Sequence, residues 1–236
     1  MLLEQQPAFV LHSRPYRETS LLLECLTRDA GRLGVVARGV RGARSRVSRA
    51  QLEPFQPLLL DLQLRGELAT LRHAELSSLP LRLSGDAALA GLYVNELVVR
   101  LTERQDPLST LYSAYAQTLG RLATGESLSW QLRRFERDLL ASLGYAMQLE
   151  VEADGDAPLQ PDATYTYRPE HGAVLCNATD PHALKGSVLL ALGEDRMPDA
   201  QGLQALRGTM RELIRFHLGG VELRAWRVLR GALTRR

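Results

Sequence analysis

The sequence predicts an α+β protein: a small five-stranded β domain followed by an all-α domain that carries a short β-hairpin. Three observations carry this. Residues 7 to 76 hold five short alternating segments separated by Gly and Pro, the pattern of a small barrel or sandwich. After Pro80 the apolar period changes from two to about 3.6, as in amphipathic helices. Between the helical stretches, TYTYR (164–168) and AVLC (173–176) flank Pro169-Glu170-His171-Gly172 like the arms of a hairpin. The expected domains are 1–79 and 80–236, with the hairpin insertion at about 150–178.

The strands justify themselves in turn. Phe9 to Arg14 is the first. In the second, Thr19 to Thr27, Leu21, Leu23 and Cys25 lie on one face and Leu22, Glu24 and Leu26 on the other. The third is Arg32 to Val40, with Leu33, Val35 and Ala37 inward. Gln56 to Arg65 alternates best, with Leu58, Leu60, Leu62 and Leu64 on one side. A tight turn at Arg65-Gly66 leads into Glu67 to Leu76. Among five-stranded folds the OB barrel, which binds oligonucleotides, is the natural candidate.

Ser84 is placed to cap a helix reaching about Arg104. Asp106-Pro107 reads as an N-cap with proline at the first helical position, opening a second helix that stops at Gly125. Ser127 or Ser129 opens a third, with Leu132, Phe135, Leu139, Leu140 and Leu143 inward and Gly144 as its C-terminal cap. These three are expected to pack as a bundle. Residues 150 to 162 are acidic and rich in Pro and Gly, so they read as a loop. A short helix is expected near Pro181 to Leu192. A long one, capped by Asp199, should run from Ala200 to Leu218 and end at Gly219-Gly220, before a basic amphipathic helix over Val221 to Leu233.

The 236 residues suffice for one large or two small cores, and 45% hydrophobic with 24% charged content is ordinary for a globular protein. No apolar run approaches the roughly 20 residues of a membrane span, and the first residues do not read as a signal peptide. We expect a cytoplasmic location. Cys25, in an apolar strand, reads as a core residue, and two cysteines cannot build a four-cysteine zinc site or a disulfide framework. No phosphate-binding loop, HExxH, GxSxG or GxGxxG is present, and the five histidines are scattered. Asp154 and Asp156 lie in a loop, a poor setting for a general acid and base. The expectation is therefore no enzyme, no metal and no cofactor.

The net charge of +2 conceals an uneven distribution: +3 over residues 1–80, −7 over 81–206 and +6 over 207–236. The most one-sided stretch is Gly31 to Leu52, which carries Arg32, Arg38, Arg41, Arg44, Arg46 and Arg49 without one acid. Its second half, Arg41 to Ala50, offers almost nothing to bury. Such clustering is the footprint of phosphate-backbone binding. A solvated loop that keeps the protein soluble fits the same residues equally well.

A resemblance bears on that choice. AFVLHSRPYRETSLLLECLTRDAGRLGVVARGVRG at the start, QLEPFQPLLLDLQLRGELATLRHAEL, GLYVNELVVRL, LRRFERDLLASLGY, YTYRPEHG and the C-terminal FHLGGVELRAWRVLR follow one another along almost the whole chain. In that order they resemble the bacterial RecO family of DNA repair and recombination mediators, closest to its γ-proteobacterial branch. The resemblance implies an N-terminal OB-fold and a helical domain with a small β insertion. It further implies binding of single- and double-stranded DNA, annealing of complementary strands, and a place in the RecF pathway. There it implies work with RecR to load RecA on strands coated by single-strand-binding protein (SSB), whose acidic C-terminal tail the family recognises. A nucleoid-associated monomer is the corresponding expectation. Two departures stand out. Many members have a four-cysteine zinc site in the region of residues 150–180, where this chain has only Cys176, and the frequent Leu-x-Ser-Arg near the C-terminus is Leu223-Arg224-Ala225-Trp226 here.

With the resemblance, the arm reads as a phosphate grip through Arg38, Arg41, Arg44, Arg46 and Arg49, extended by Arg14, Arg17 and Arg32. Phe9 and Phe55 fit the core, and Tyr16, in a loop, is the better base-stacking platform. On the third helix, Arg133, Arg134 and Arg137 beside Phe135 and Leu139 fit either a solvated face paired with Glu136 and Asp138 or a basic rim for the SSB tail. The resemblance favours the rim. Of the C-terminal arginines, Arg207, Arg211 and Arg215 read better as neutralising the acidic middle, and those from Arg224 to Arg236 fit both that and a DNA path. Two other functions fit the same features: an OB-fold adaptor that binds protein, and an RNA-binding factor.

Overall fold

The computed structural model describes residues 1–40, 47–155 and 157–226. The alternation in the first 76 residues closes a five-stranded barrel in the order β1-β2-β3-β5-β4. Strand β1 (Leu2–Tyr16) pairs antiparallel with β2 (Ser20–Thr27) and with β4 (Leu58–Arg65). Strand β3 (Gly31–Ala37) pairs with β2, and β5 (Leu68–Leu76) with β4. A short parallel contact, Gly34–Val36 against Leu68–Thr70, completes the closure. This is the OB-like barrel that the alternation points to.

The inward set is Val10, Leu21, Leu23, Cys25, Leu33, Val35, Ala37, Leu58, Leu60 and Leu62, all buried. Burial pushes the Cys25 thiol well above its ordinary range, so it stays protonated and unreactive. β1 is far longer than Phe9 to Arg14 because it serves two neighbours in succession, with register shifts between Leu3 and Gln6 and between Val10 and His12. Such bulges bend a strand around a barrel.

The outer face of β1 and β2 is apolar too: Phe9, Leu11, Leu22 and Leu26 are buried. Helices α1 (Gly85–Leu101) and α2 (Ser109–Ala123) belong to the same compact unit. The Phe9 ring lies 5.5 Å from that of Tyr112 and 5.1 Å from that of Tyr115 on α2. The second bulge skips Leu11 in the β2 ladder, and its carbonyl accepts instead from the Asn95 amide at 2.8 Å. Tyr115 donates its hydroxyl to Asn95 Oδ1 at 2.6 Å. Asn95→Leu therefore takes the amide away from a buried carbonyl and a buried phenol, and should cost about 2–4 kcal/mol in denaturant unfolding. Tyr115→Phe, which removes one partner, should cost about 1 kcal/mol. Equal costs would mean that the bulge does not depend on Asn95.

Helix α2 begins at Ser109, not at Asp106-Pro107. The reason is tertiary: Gln105 donates its backbone N–H to the Arg32 carbonyl at 2.9 Å, and Asp106 lies against Gly31. Residues bound to β3 in this way are not available to a helix. The expected bundle of three helices is also corrected. Residues Met1–Gly125 with 224–226 form one unit, which takes α1 and α2, whereas α3 (Leu128–Ser142) belongs to the unit Glu126–Leu223. Residues 224–226 return to the first unit, where the backbone N–H groups of Arg224 and Ala225 both donate to the Glu96 carboxylate at 2.8 Å. Most of the helix expected over Val221 to Leu233 lies outside the described residues.

In the second unit, α3 packs with α5 (Ala200–His217). Ser127 caps α3 by accepting from the Trp130 N–H, and Asp199 caps α5 by accepting from the Gly202 N–H at 2.7 Å. Gly144, at φ 87°, ends α3. The expected hairpin forms from β6 (Thr164–Arg168) and β7 (Gly172–Leu175), and β6 gains a second partner, the two-residue strand β8 (Leu184–Lys185). Helix α4 (Gly186–Gly193) follows. It starts later than Pro181 because Leu184 and Lys185 pair with β6.

Candidate nucleic-acid interface

The strand register decides which barrel arginines meet. Arg14 lies opposite Leu22, and Leu22 opposite Val36; one step further, Pro15, Leu21 and Ala37 form the next row. The end of β1 and the end of β3 thus lie at the same end of the barrel. Leu21 and Ala37 point inward, so Arg14, Tyr16 and Arg38 share the outer face. Arg14 and Arg38 are exposed. Tyr16 closes the β1–β2 hairpin opposite Ser20 and is half-buried, with the Arg17 guanidinium 5.3 Å from its ring centre. Arg17 holds φ 54° in that turn.

The arm is anchored at both ends. Val40 and Val47 belong to the barrel core, as does Leu52. This corrects the expectation that Arg41 to Ala50 has almost nothing to bury, since Val47 is only 8% exposed. Beyond it, Ser48 and Gln51 form a reciprocal capping box on a single 3-10 turn, Arg49–Leu52. Arg49 is exposed on that turn, 3.9 Å from Glu53. Arg41, Arg44 and Arg46 lie outside the described residues.

Arg32 has a different role from the one expected. It lies at the opposite end of β3 from Arg38, roughly 20 Å away at strand rise, and is half-buried. Its guanidinium donates to Glu24 at 2.8 Å, to the Thr102 carbonyl at 2.7 Å and to the Thr102 hydroxyl at 3.1 Å. Arg104 closes on the other oxygen of Glu24. Arg32 therefore ties β3 to the end of α1 and is not available to phosphates in this conformation. Glu24, the one acid in β2, was the signal for this pairing. Arg28 is likewise neutralised by Asp29, whose carboxyl its hydrogen bonds hold below the usual range.

The α3 residues divide as well. Phe135 and Leu139 are fully buried and do not line an open groove. Arg133 is 5% exposed and donates to Glu136, itself 1% exposed, at 2.6 Å. The (i, i+3) spacing of Arg133 and Glu136 makes this pair on one helix face. Arg134 and Arg137 remain at the surface edge, and both reach Asp195, a residue that sequence reasoning did not select. A carboxylate about 60 positions away along the chain carries no local sequence signal.

Among the described residues no group of three or more His, Cys, Asp or Glu is placed to hold a metal ion, and Cys25 and Cys176 are free thiols. Cys176 alone does not fit a four-thiolate zinc site. Among the described residues no helix is long and apolar enough to cross a membrane.

Two family models match in succession: recombination protein O N terminal over residues 1–80, and recombination protein O C terminal over residues 82–227. The chain is 47% identical over 241 residues to the DNA repair protein RecO of Xanthomonas euvesicatoria pv. vesicatoria strain 85-10, with all of both chains covered. It is 48% identical to that of Stenotrophomonas maltophilia strain R551-3, with 97% of each chain covered. It is 45% identical to that of Xylella fastidiosa strain M12, with 97% of this chain and 96% of the relative covered. With both family models matched in order and relatives of this identity along the full length, the chain belongs to the RecO family of DNA repair and recombination proteins.

Proposed function

We propose that this protein is a non-enzymatic recombination mediator that binds single- and double-stranded DNA, anneals complementary strands and, with RecR, helps load RecA onto SSB-coated strands in the cytoplasm. The observation that carries the DNA reading is the cationic end of the barrel. Arg14, Tyr16 and Arg38 share its outer face, and the acid-free arm that follows Arg38 is bounded by Val40 and Val47, both in the barrel core. Arg14, Arg17, Arg38 and Arg49, with Arg41, Arg44 and Arg46 of the arm, are the proposed phosphate contacts, and Tyr16 the one stacking platform. Charge then dominates over base recognition, so little sequence preference is expected. Arg32 is left out because Glu24 and Thr102 hold it.

On the second unit, the proposed receiver of the SSB tail is narrowed to Arg134 and Arg137. Arg133, Phe135 and Leu139 support α3 from within. The protein acts as a monomer in this reading. Competition among labelled single-stranded DNA, RNA and an acidic SSB-tail peptide, at two salt concentrations, tests it. DNA should bind in a salt-sensitive way, and the peptide should not displace it. Displacement of DNA by the peptide would favour a protein-binding adaptor, and preference for RNA over DNA of the same sequence would favour an RNA factor.

A further inference from the structure

Arg134 and Arg137 stand one turn apart on α3 and converge on a single carboxylate. Arg134 contacts Asp195 Oδ2, and Arg137 Nη1 lies 3.2 Å from Oδ1. The donors are sheltered, with side chains 15% and 19% exposed, whereas the Asp195 side chain is 42% exposed. The acid thus sits on the solvent side of the two guanidinium groups, where a carboxylate from another molecule would approach. It is carried by the turn after α4, at φ 57°, where its own N–H makes a long 3.4 Å bond to the Leu192 carbonyl while its neighbours Glu194 and Arg196 hold the turn through bonds of 2.9 and 2.8 Å to Leu190 and Ala191.

The two arginines are unequally satisfied. Arg137 is held by the Leu192 carbonyl at 2.6 Å and by Asp138 at 2.8 Å. Arg134 has a weak 3.4 Å bond to Gln131, a Trp130 ring 6.0 Å away, and an Nε that is buried with no hydrogen-bond partner among the described residues. A guanidinium fork takes a carboxylate through two parallel N–H groups. Arg134 has donors left for such a bond, and Arg137 is a fixed second charge beside it.

We propose that Asp195 is a resident stand-in for an acidic peptide: Arg134 and Arg137 form the receiving pair, and a carboxylate of the partner must displace Asp195 to bind. This rests on the reading that Arg134 and Arg137 receive an acidic tail, and it adds what opposes them. A partner's carboxylate exchanges one ion pair for another, so the contact contributes specificity for acids more than net affinity.

The test is fluorescence anisotropy with a labelled, aspartate-rich SSB-tail peptide and the full chain. Asp195→Asn removes the competing charge and should tighten binding about five- to tenfold. Arg134→Ala should weaken it about tenfold, and in the Asp195→Asn background should abolish the gain. Thermal unfolding of each variant confirms that the fold is kept, as expected for a half-exposed acid. If Arg134→Ala weakens binding but Asp195→Asn leaves it unchanged or weaker, the acidic site stands and the competitor role is overturned. If neither Arg134→Ala nor Arg137→Ala affects peptide binding, the tail reading at α3 fails and this inference falls with it.

Discussion

Gly31→Ala is expected to destabilise the barrel unit by about 3–5 kcal/mol. Gly31 holds φ 69°, and a Cβ built there would lie 2.1 Å from the Asp106 carbonyl oxygen and 2.8 Å from the Asp106 nitrogen. The left-handed backbone alone costs a non-glycine residue roughly 1–2 kcal/mol. The rest comes from forcing apart two backbones that the Gln105 to Arg32 hydrogen bond and the Arg32–Glu24–Arg104 group hold together. Gly66→Ala is the matched control: φ is 67°, but nothing lies within 4 Å of its added Cβ, so it should cost only about 1–2 kcal/mol. Denaturant midpoints of the two variants check the difference. Equal losses would show that residues 104–106 are not clamped against β3.

The second large effect concerns binding. A variant with Arg38, Arg41, Arg44, Arg46 and Arg49 all changed to Ala should bind single-stranded DNA on the order of a hundredfold to a thousandfold more weakly at about 0.1 M salt. The core anchors described in this stretch, Val40, Val47 and Leu52, are left unchanged. Unfolding should therefore be nearly unchanged. Arg32→Ala should do the reverse: it takes away one of the two arginine partners of Glu24 and removes two bonds to Thr102, lowering stability with little direct effect on DNA. Anisotropy titrations with an oligonucleotide, run beside unfolding curves, separate the two classes of arginine.

The same contrast shows what could be read from the chain. Alternation located all five strands, because inward residues such as Leu58, Leu60 and Leu62 repeat every second position. Glycines and capping side chains marked the ends of α3 and α5 for local reasons. Partner choice was less legible. Periodicity describes a helix face and not what covers it, so α1 and α2 were expected to bundle with α3. The second apolar face of β2, Leu22 and Leu26, and Phe9 on β1 were the available hint that helices cover the barrel's outside. The start of α2 was misread because a long-range contact to Gly31 overrode a local capping signal. Charge runs located the arm, but whether an arginine faces solvent or an acid depends on tertiary pairing. Glu24 and Asp195 decide that for Arg32 and for the α3 pair.

Salt dependence is the most direct measure of the central claim, that an arginine-lined end of the barrel grips phosphates. With about four phosphates neutralised on a single strand, log K against log salt should fall with a slope of roughly −3, or about 60-fold between 50 and 200 mM. In the five-arginine variant the slope should flatten to about −1 or less. A wild-type affinity that hardly changes over that range, or a variant that keeps the full slope, would contradict the account.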